Sequence, residues 1–278
     1  MFKIRNIIIA AAVIIGIFAV LNLPKDRQNS DVVAQENKPT QTESAVMAEQ
    51  LYSKANDLRK EGEHLKARET YQSILANYSD FENIERVQTD LEDLNMDVIF
   101  SNAQTANTVI HEVISGDTLG EIAKKHGTTI DLIKRNNRLK NDVIRVGQKL
   151  RVWTGKFNIY VDKSQNILML KMGDEVLKVY DVSTGEGSST PVGTFKITTR
   201  LTDPVWFNRG VVVPPESPEN VLGSRWLGFD TPGYGIHGTV EPETIGQQVT
   251  AGCVRMRNSE VEELYSIIPM GTQVVIVD

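Results

Sequence analysis

The chain has 278 residues, a formal net charge of −6 and 6% aromatic residues, a balance that excludes a nucleic-acid binder built on a basic surface. Its one cysteine, Cys253, excludes an internal disulfide framework, and four scattered histidines offer no metal-ligand spacing.

At the N-terminus, Lys3 and Arg5 precede an uninterrupted apolar run from Ile7 to Leu21, closed by Asn22-Leu23-Pro24. Basic residues ahead of such a run describe a signal peptide or a short membrane anchor. At ~1.5 Å per residue the run reaches most of the way across a ~30 Å hydrocarbon core. The nearest small-x-small cleavage site, Val32-Val33-Ala34, lies rather far downstream. An uncleaved anchor over residues 1–23 is therefore expected, with the remainder exported. Residues 24–44 are polar and read as a flexible tether.

Over residues 45–100 the pattern turns helical. Leu51, Ala55 and Leu58, then Leu65, Ala67, Tyr71, Ile74, Leu75 and Tyr78, recur at three-to-four spacing on either side of Gly62. A helical hairpin followed by a third helix from about Asn83 to Asp97 is expected. The order Ala55, Leu58, Gly62, Ala67, Tyr71, Leu75 resembles one tetratricopeptide repeat. Such a segment serves either as a spacer or as a docking surface for a protein partner.

Residues 109–152 hold nine Lys or Arg against five Asp or Glu, and residues 153–278 hold ten against fifteen. A small basic module beside an acidic one hints at an anionic partner for the first. The basic module reads as strand–helix–helix–strand. A short strand precedes the turn Ser115-Gly116-Asp117-Thr118, and Leu119, Ile122 and Ala123 make an apolar helix face ending at Gly127. Thr128, with Asp131 three residues on, suggests the cap of a second helix. Gly147-Gln148 turns into the closing strand from Lys149. His111, His126 and the more N-terminal His64 read as structural.

This module resembles the lysin motif (LysM) on Ser115-Gly116-Asp117-Thr118-Leu119, Ile122-Ala123, Asn136-Asn137 and Val146-Gly147-Gln148-Lys149-Leu150. The resemblance implies binding to N-acetylglucosamine-containing glycan, chiefly peptidoglycan. It places the sugar groove near Gly116, Asp117, Thr118 and Leu119 and along Asn137–Val143.

The remaining segment, residues 156–278, is β-rich, with sandwich or barrel character. Strands are expected at Phe157–Asp162, Ile167–Lys171, Val176–Val182, Gly193–Ile197 and Val274–Val277. One helix, Asn258–Ile268, is expected to be capped by Ser259 with Glu262. The proline-rich stretch from Thr202 to Gly233 reads as a functional loop. Trp206, Phe207, Trp226, Phe229 and Tyr234 could line a cleft there, or Trp226 could be core. Cys253 follows Gly252 and lies sixteen residues after His237. A free thiol with one histidine at hand has the components of a cysteine nucleophile and its base; a lone buried cysteine is the bland alternative. Gly185-x-Gly187 lacks a following helix, so no nucleotide loop is read, and no cofactor is expected.

The segment resembles the L,D-transpeptidase catalytic family of bacterial cell-wall enzymes (ErfK/YbiS/YkuD type). The residues carrying the likeness are Pro191-Val192-Gly193-Thr194-Phe195, Arg225-Trp226-Leu227-Gly228, Tyr234-Gly235-Ile236-His237-Gly238-Thr239 and Ala251-Gly252-Cys253-Val254-Arg255-Met256. Ala251 departs from the histidine that many members carry. The resemblance implies attack by Cys253 on a peptidoglycan stem peptide before D-alanine, with His237 as base and the Gly238 carbonyl orienting it. Gly252 and Cys253 amides would stabilise the oxyanion, and Arg255 would tune the thiol, hold a carboxylate or form a structural salt bridge. Trp226 and Tyr234 would touch substrate. The expected whole is multidomain: membrane anchor, tetratricopeptide-like helical hairpin, α+β LysM module and mainly-β catalytic domain. It would be bacterial, anchored in the membrane or secreted, and facing the periplasm or cell wall. Hydrolysis of the same thioester (an L,D-carboxypeptidase) and a non-catalytic wall-binding scaffold stay open.

Overall fold

The computed structural model describes residues 41–278 except Arg209. The expected anchor, and the tether as far as residue 40, lie outside the described residues. Among those described, no helix is long and apolar enough to cross a membrane. The chain divides into two compact units, Met1–Leu94 and Asn95–Asp278.

The first unit holds α1 (Gln41–Lys60), α2 (His64–Asn77) and most of α3 (Ile84–Phe100). Residues 41–44, expected in the tether, are already helical. Gly62 turns the chain at φ +80°, a left-handed conformation that glycine adopts without strain. Small residues let α1 and α2 pack: Ala48 and Ala55 are buried on one helix and Ala67 on the other. Tyr52 fills the space between Tyr71 and Phe81, with ring centroids 6.3 and 6.2 Å away. Both buried tyrosines satisfy their hydroxyls. Tyr52 donates to Asp90 Oδ2 at 2.6 Å, and Tyr71 to Asn56 Oδ1 at 2.9 Å. Burial, then the Asp90 carboxylate, push the Tyr52 phenol up to about 12, so it stays a donor.

From Asn95 onward α3 belongs to the second unit, six residues short of the sequence-drawn boundary at 100. Its apolar face explains the shift: Met96 and Ile99 are buried in the large core of that unit. Asn95 Nδ2 also donates to the Leu177 carbonyl at 2.9 Å.

The expected strand–helix–helix–strand module follows as β1 (Thr108–Glu112), α4 (Leu119–His126), α5 (Ile130–Asn136) and β2 (Lys149–Trp153), with β1 antiparallel to β2. Thr118 caps α4 in a full capping box with Glu121, and Gly127 ends it at φ +65°. The cap of α5 is Thr129, one residue after the expected Thr128; its hydroxyl accepts from Leu132 N at 3.0 Å. Consecutive residues of α5 face different cores. Ile133 joins Val113, Leu119, Ile122, Leu150 and Val152 inside the module. Leu132 joins the core of the β-rich segment. Thr129 Oγ1 donates to the Ser266 carbonyl, and Asp131 lies 3.6 Å from Arg200. Module and β-rich segment therefore share apolar packing and do not merely adjoin.

That segment contains β3 (Phe157–Asp162), β4 (Ile167–Met172), β5 (Glu175–Asp181), β6 (Thr184–Gly185), β7 (Gly193–Thr202), β8 (Trp206–Asn208), β9 (Val211–Val213), β10 (Arg225–Phe229), β11 (Gly235–His237), β12 (Gln248–Thr250), β13 (Val254–Arg255), α6 (Asn258–Ile267) and β14 (Gln273–Val277). Eight strands form one sheet in the order β13-β11-β10-β7-β14-β3-β4-β5. Its two edges meet. Ser183, two residues past β5, pairs with Arg255 of β13 through both backbone bonds, Ser183 N to Arg255 O at 2.8 Å and Arg255 N to Ser183 O at 2.9 Å. Of the expected sandwich or barrel, closure of a single sheet favours the barrel. Helix α6 lacks the expected Ser259 cap; Arg257 sits at the N-cap without a side-chain capping bond, its guanidinium donating instead to Glu260 Oε1 at 3.0 Å. The Thr202–Gly233 stretch is not a plain loop: it contains the β8–β9 hairpin and β10.

Two outcomes are expected. Leu132→Ala lowers stability by ~2–5 kcal/mol, and calorimetry shows one transition for the module and the β-rich segment rather than two. Ser183→Pro removes the closing N–H and costs ~3 kcal/mol or more by chemical denaturation. Ser183→Ala keeps the backbone pair, loses only the 2.6 Å bond from Ser183 Oγ to the Thr244 carbonyl and costs ~1 kcal/mol.

Candidate active site

Closure of the sheet brings the two motif segments side by side. Strands β11 and β13 run parallel, with Ile236 opposite Val254 and His237 opposite Arg255. Cys253 lies two residues before Arg255, at the mouth of this strand pair. Three features hold its loop. Gly252 has φ +129°, where a side chain is strained, and a Cβ there would come 2.7 Å from Tyr234 Cε1. The Thr250 hydroxyl accepts from Gly252 N at 3.2 Å and donates to the Cys253 carbonyl at 2.6 Å. Behind the loop, β12 pairs with β6, and a Cβ on Gly185 would come 3.0 Å from Gly252 Cα.

Thr250 corrects one expectation. The Gly252 amide, expected to point at an oxyanion, is engaged by the Thr250 hydroxyl in this resting geometry. Of the two expected donors, Cys253 N is the one without such a bond among the described residues.

His237 is buried, and its Nδ1 donates to the Gly238 carbonyl at 2.6 Å. A carbonyl only accepts, so this bond puts the proton on Nδ1 and leaves the Nε2 lone pair available as a base. The other ring face meets Trp226, the cross-strand partner of His237, with centroids 5.9 Å apart and planes 21° from parallel. Gly228 and Gly235, the cross-strand pair two residues along on the same face, make room for the indole. A Cβ on Gly228 would come 2.6 Å from Trp226 Nε1, and one on Gly235 2.9 Å from Trp226 Cζ2. Trp226 thus packs the imidazole in place; in this geometry it is neither a lid residue nor fully core.

Burial pushes the His237 imidazole down to about 4, helped by the Arg255 charge and opposed by the Gly238 and Leu222 carbonyls. Burial also pushes the Cys253 thiol up to about 11, against the opposing pull of the Gly235 amide and the Arg255 charge. At neutral pH both groups are therefore uncharged. The thiol donates to the Gly233 carbonyl at 3.5 Å, an ordinary length for sulfur and not a bond to the imidazole.

Of the three roles expected for Arg255, the geometry displays the salt bridge, between a buried guanidinium and the half-exposed Glu241. Its Nη1 lies 2.9 Å from Glu241 Oε2 and donates to Thr244 Oγ1 at 3.0 Å, while its field still favours the thiolate. Tyr234 lies against Gly252. Phe229 stacks on Phe195 in the core at 5.4 Å, and Phe207 is 75% exposed on the β8–β9 hairpin.

Among the expected sugar-binding residues, several side chains are turned to structural work. Asn137 Nδ2 donates to the carbonyls of Ile133 and Arg151, and its Oδ1 accepts from Arg151 N, each at 2.7 Å. Thr118 is committed to its capping box. Asp117 accepts from Ile114 N at 3.0 Å and pairs with His111 Nε2 at 2.8 Å; the Ile114 amide, then His111, hold its carboxyl below the usual range. Gly116, at φ +93°, faces open space.

Sequence reading missed Lys163, Thr250 and Asn258. Lys163 is 3% exposed, and its Nζ donates to the carbonyls of Thr190 at 3.0 Å and Ser188 at 3.2 Å. It thereby fixes the loop behind Gly252. Nothing in Asp162-Lys163-Ser164 signals this, because its acceptors lie 25 and 27 residues away. The threonine, three residues before the cysteine, was the one detectable from spacing.

The rate of Cys253 alkylation by iodoacetamide is expected to climb with pH toward about 11. On the order of one thiol in ten thousand is ionised at pH 7 for such a group. Mass spectrometry across pH 4–11 reads this; a plateau between pH 5 and 8 would reveal a preformed thiolate–imidazolium pair and sink the neutral-pair assignment.

Comparison with known proteins gives the chain its relatives. A family model described as YkuD, the L,D-transpeptidase catalytic domain, matches residues 156–276, and one for the LysM domain matches residues 111–153. YqjB of Bacillus subtilis (strain 168), which carries an L,D-transpeptidase name, is 40% identical over 126 residues, covering 43% of this chain and 70% of its own length. YkuD of the same organism, also so named, is 33% identical over 174 residues, covering 60% of this chain and 97% of its own. The solved L,D-transpeptidase from Mycobacterium smegmatis aligns at 19% identity with a TM-score of 0.39, over 48% of this chain and 65% of that one. The chain thus spans about two thirds of the length of that solved structure. With relatives of this identity covered over most of their length, the chain belongs to the YkuD-type L,D-transpeptidase family and carries a LysM domain ahead of the catalytic domain.

Proposed function

We propose that the chain is a peptidoglycan L,D-transpeptidase with Cys253 as nucleophile and His237 as general base. The observation that carries the reading is the Nδ1 bond of His237 to the Gly238 carbonyl, which leaves Nε2 unprotonated on the strand beside the cysteine loop. A buried, neutral imidazole with its lone pair free is what a neutral thiol needs as it attacks.

The sequence of events follows from this geometry. On substrate binding the thiol leaves the Gly233 carbonyl and turns to His237. Sγ attacks the carbonyl between meso-diaminopimelate (or lysine) and D-alanine while Nε2 takes the thiol proton. The Cys253 amide is the free backbone donor for the oxyanion, and such donors are typically worth ~3 kcal/mol. Collapse breaks the C–N bond, and the imidazolium returns the proton to the departing D-alanine amine. The thioester then passes to an acceptor amine, which forms the new cross-link and regenerates the thiol. Arg255, held by Glu241, favours thiolate character as the proton leaves.

The LysM module binds N-acetylglucosamine-containing glycan. With Asn137 and Thr118 occupied, contact falls to the backbone around Gly116 and to the exposed apolar side chains Ile114, Val143 and Val146. The apolar run at residues 7–21 behind Lys3 and Arg5 supports export, with the enzyme anchored or secreted. The helical segment is a spacer or a docking surface for a protein partner.

Two measurements test the reading. Intact-mass analysis after carbapenem exposure is expected to show one acyl adduct on the wild type and none on Cys253→Ala; no wild-type adduct, or equal adducts, would overturn it. Incubation with disaccharide-tetrapeptides is expected to yield cross-linked dimers, whereas trimmed tripeptides alone would identify a carboxypeptidase.

A further inference from the structure

The turn after His237 is held by a single side chain from another element. Asn258 opens α6, yet its side chain does not cap that helix. Instead its Oδ1 accepts two backbone amides of distant turns, Ser224 N at 3.1 Å and Thr239 N at 3.0 Å. The fit is close on both sides, because a Cβ on Gly223 or on Gly238 would collide with the same Asn258 Oδ1. Gly238 N is pinned separately, donating to the Arg225 carbonyl at 3.2 Å.

The Thr239 N–H and the Gly238 C=O belong to one planar peptide unit and point in opposite directions. Fixing the N–H therefore fixes the direction of the carbonyl, and that carbonyl is the acceptor for His237 Nδ1 at 2.6 Å. We propose that Asn258 is a positioning residue for the base: by accepting the Thr239 N–H it aims the Gly238 carbonyl at Nδ1 and so selects the tautomer with a free Nε2. The inference deepens the reading of His237 as base and rests on it for its catalytic meaning, but the tautomer itself is readable without turnover.

The experiment is ¹⁵N NMR of the histidine ring nitrogens near pH 7, with His237 assigned through loss of its signals in His237→Gln, together with the rate of carbapenem acylation of Cys253. The wild type is expected to show Nδ1–H alone. Asn258→Ala, folded as judged by its melting transition, is expected to show a mixed or Nε2–H ring and a roughly 10- to 100-fold slower acylation. A folded Asn258→Ala variant with a pure Nδ1–H ring overturns the proposal.

Should Asn258→Ala not fold, Asn258→Asp decides. It keeps the acceptor, so Nδ1–H persists, and its carboxylate beside the Gly238 peptide raises the His237 titration midpoint by ~1 unit or more against the Arg255 charge, which is itself paired with Glu241. An unshifted midpoint in that variant overturns the proposal. A tautomer change in Asn258→Ala, in a protein whose wild type forms no acyl adduct, would leave the positioning role standing and remove the transpeptidase reading instead.

Discussion

The site depends on one backbone pairing, the two hydrogen bonds between Ser183 and Arg255 that close the eight-stranded sheet. Without this bridge β13 is a two-residue edge strand with a single neighbour, too short to hold a loop in a strained conformation. With it, Arg255 is fixed between β11 and the end of β5, so Cys253 is delivered to the end of the strand that carries His237. Closure also stacks β6 behind the cysteine loop, where Gly185 and Gly252 pack backbone to backbone. The strain at Gly252 is tolerated because Thr250, Tyr234 and the β6 segment together over-determine its conformation.

Burial then sets the chemistry. The same enclosure that orders the imidazole and the thiol also disfavours their charged forms, moving one down and the other up. The resting site is accordingly neutral, and in the proposed mechanism the thiol would be activated during attack rather than stored as a thiolate. Such a site suits an oxidising compartment, where a resting thiolate is the form most exposed to oxidation. It also explains the care spent on the imidazole: Trp226 packs one face, the Gly238 carbonyl fixes the proton, and the Gly228–Gly235 pair leaves room for the indole.

The LysM module and the catalytic domain meet through shared apolar packing, not through a linker. Leu132 of α5 is buried in the catalytic core one residue before Ile133, which serves the core of its own module. A glycan bound by the module as proposed would thereby be presented to the catalytic domain from a constant direction. A flexible tether would instead set only an average reach.

Local pattern was enough for the order of elements. The period-two runs at Phe157 and Ile167, the three-to-four spacing in α1 and α2, and the turn at Ser115–Thr118 each follow from neighbours in the chain, and the family motif marked Cys253 and His237 directly. Caps and boundaries were less legible. Thr128 and Thr129 are equivalent in sequence, and only packing against Ser266 decides which caps α5. The functional partners formed over distance were not legible at all. Lys163 finds its acceptors 25 and 27 residues away, and Asn258 reaches back 34 and 19 residues to Ser224 and Thr239. Asn137, matched by motif to a sugar site, turned inward because the unpaired backbone of Arg151 needed its amide. The sequence by itself determined which atoms can do the chemistry, since that is a property of residue type and near neighbours. Tertiary structure alone decided how they are aimed and charged, since closure of the sheet and loss of solvent arise only when distant segments meet.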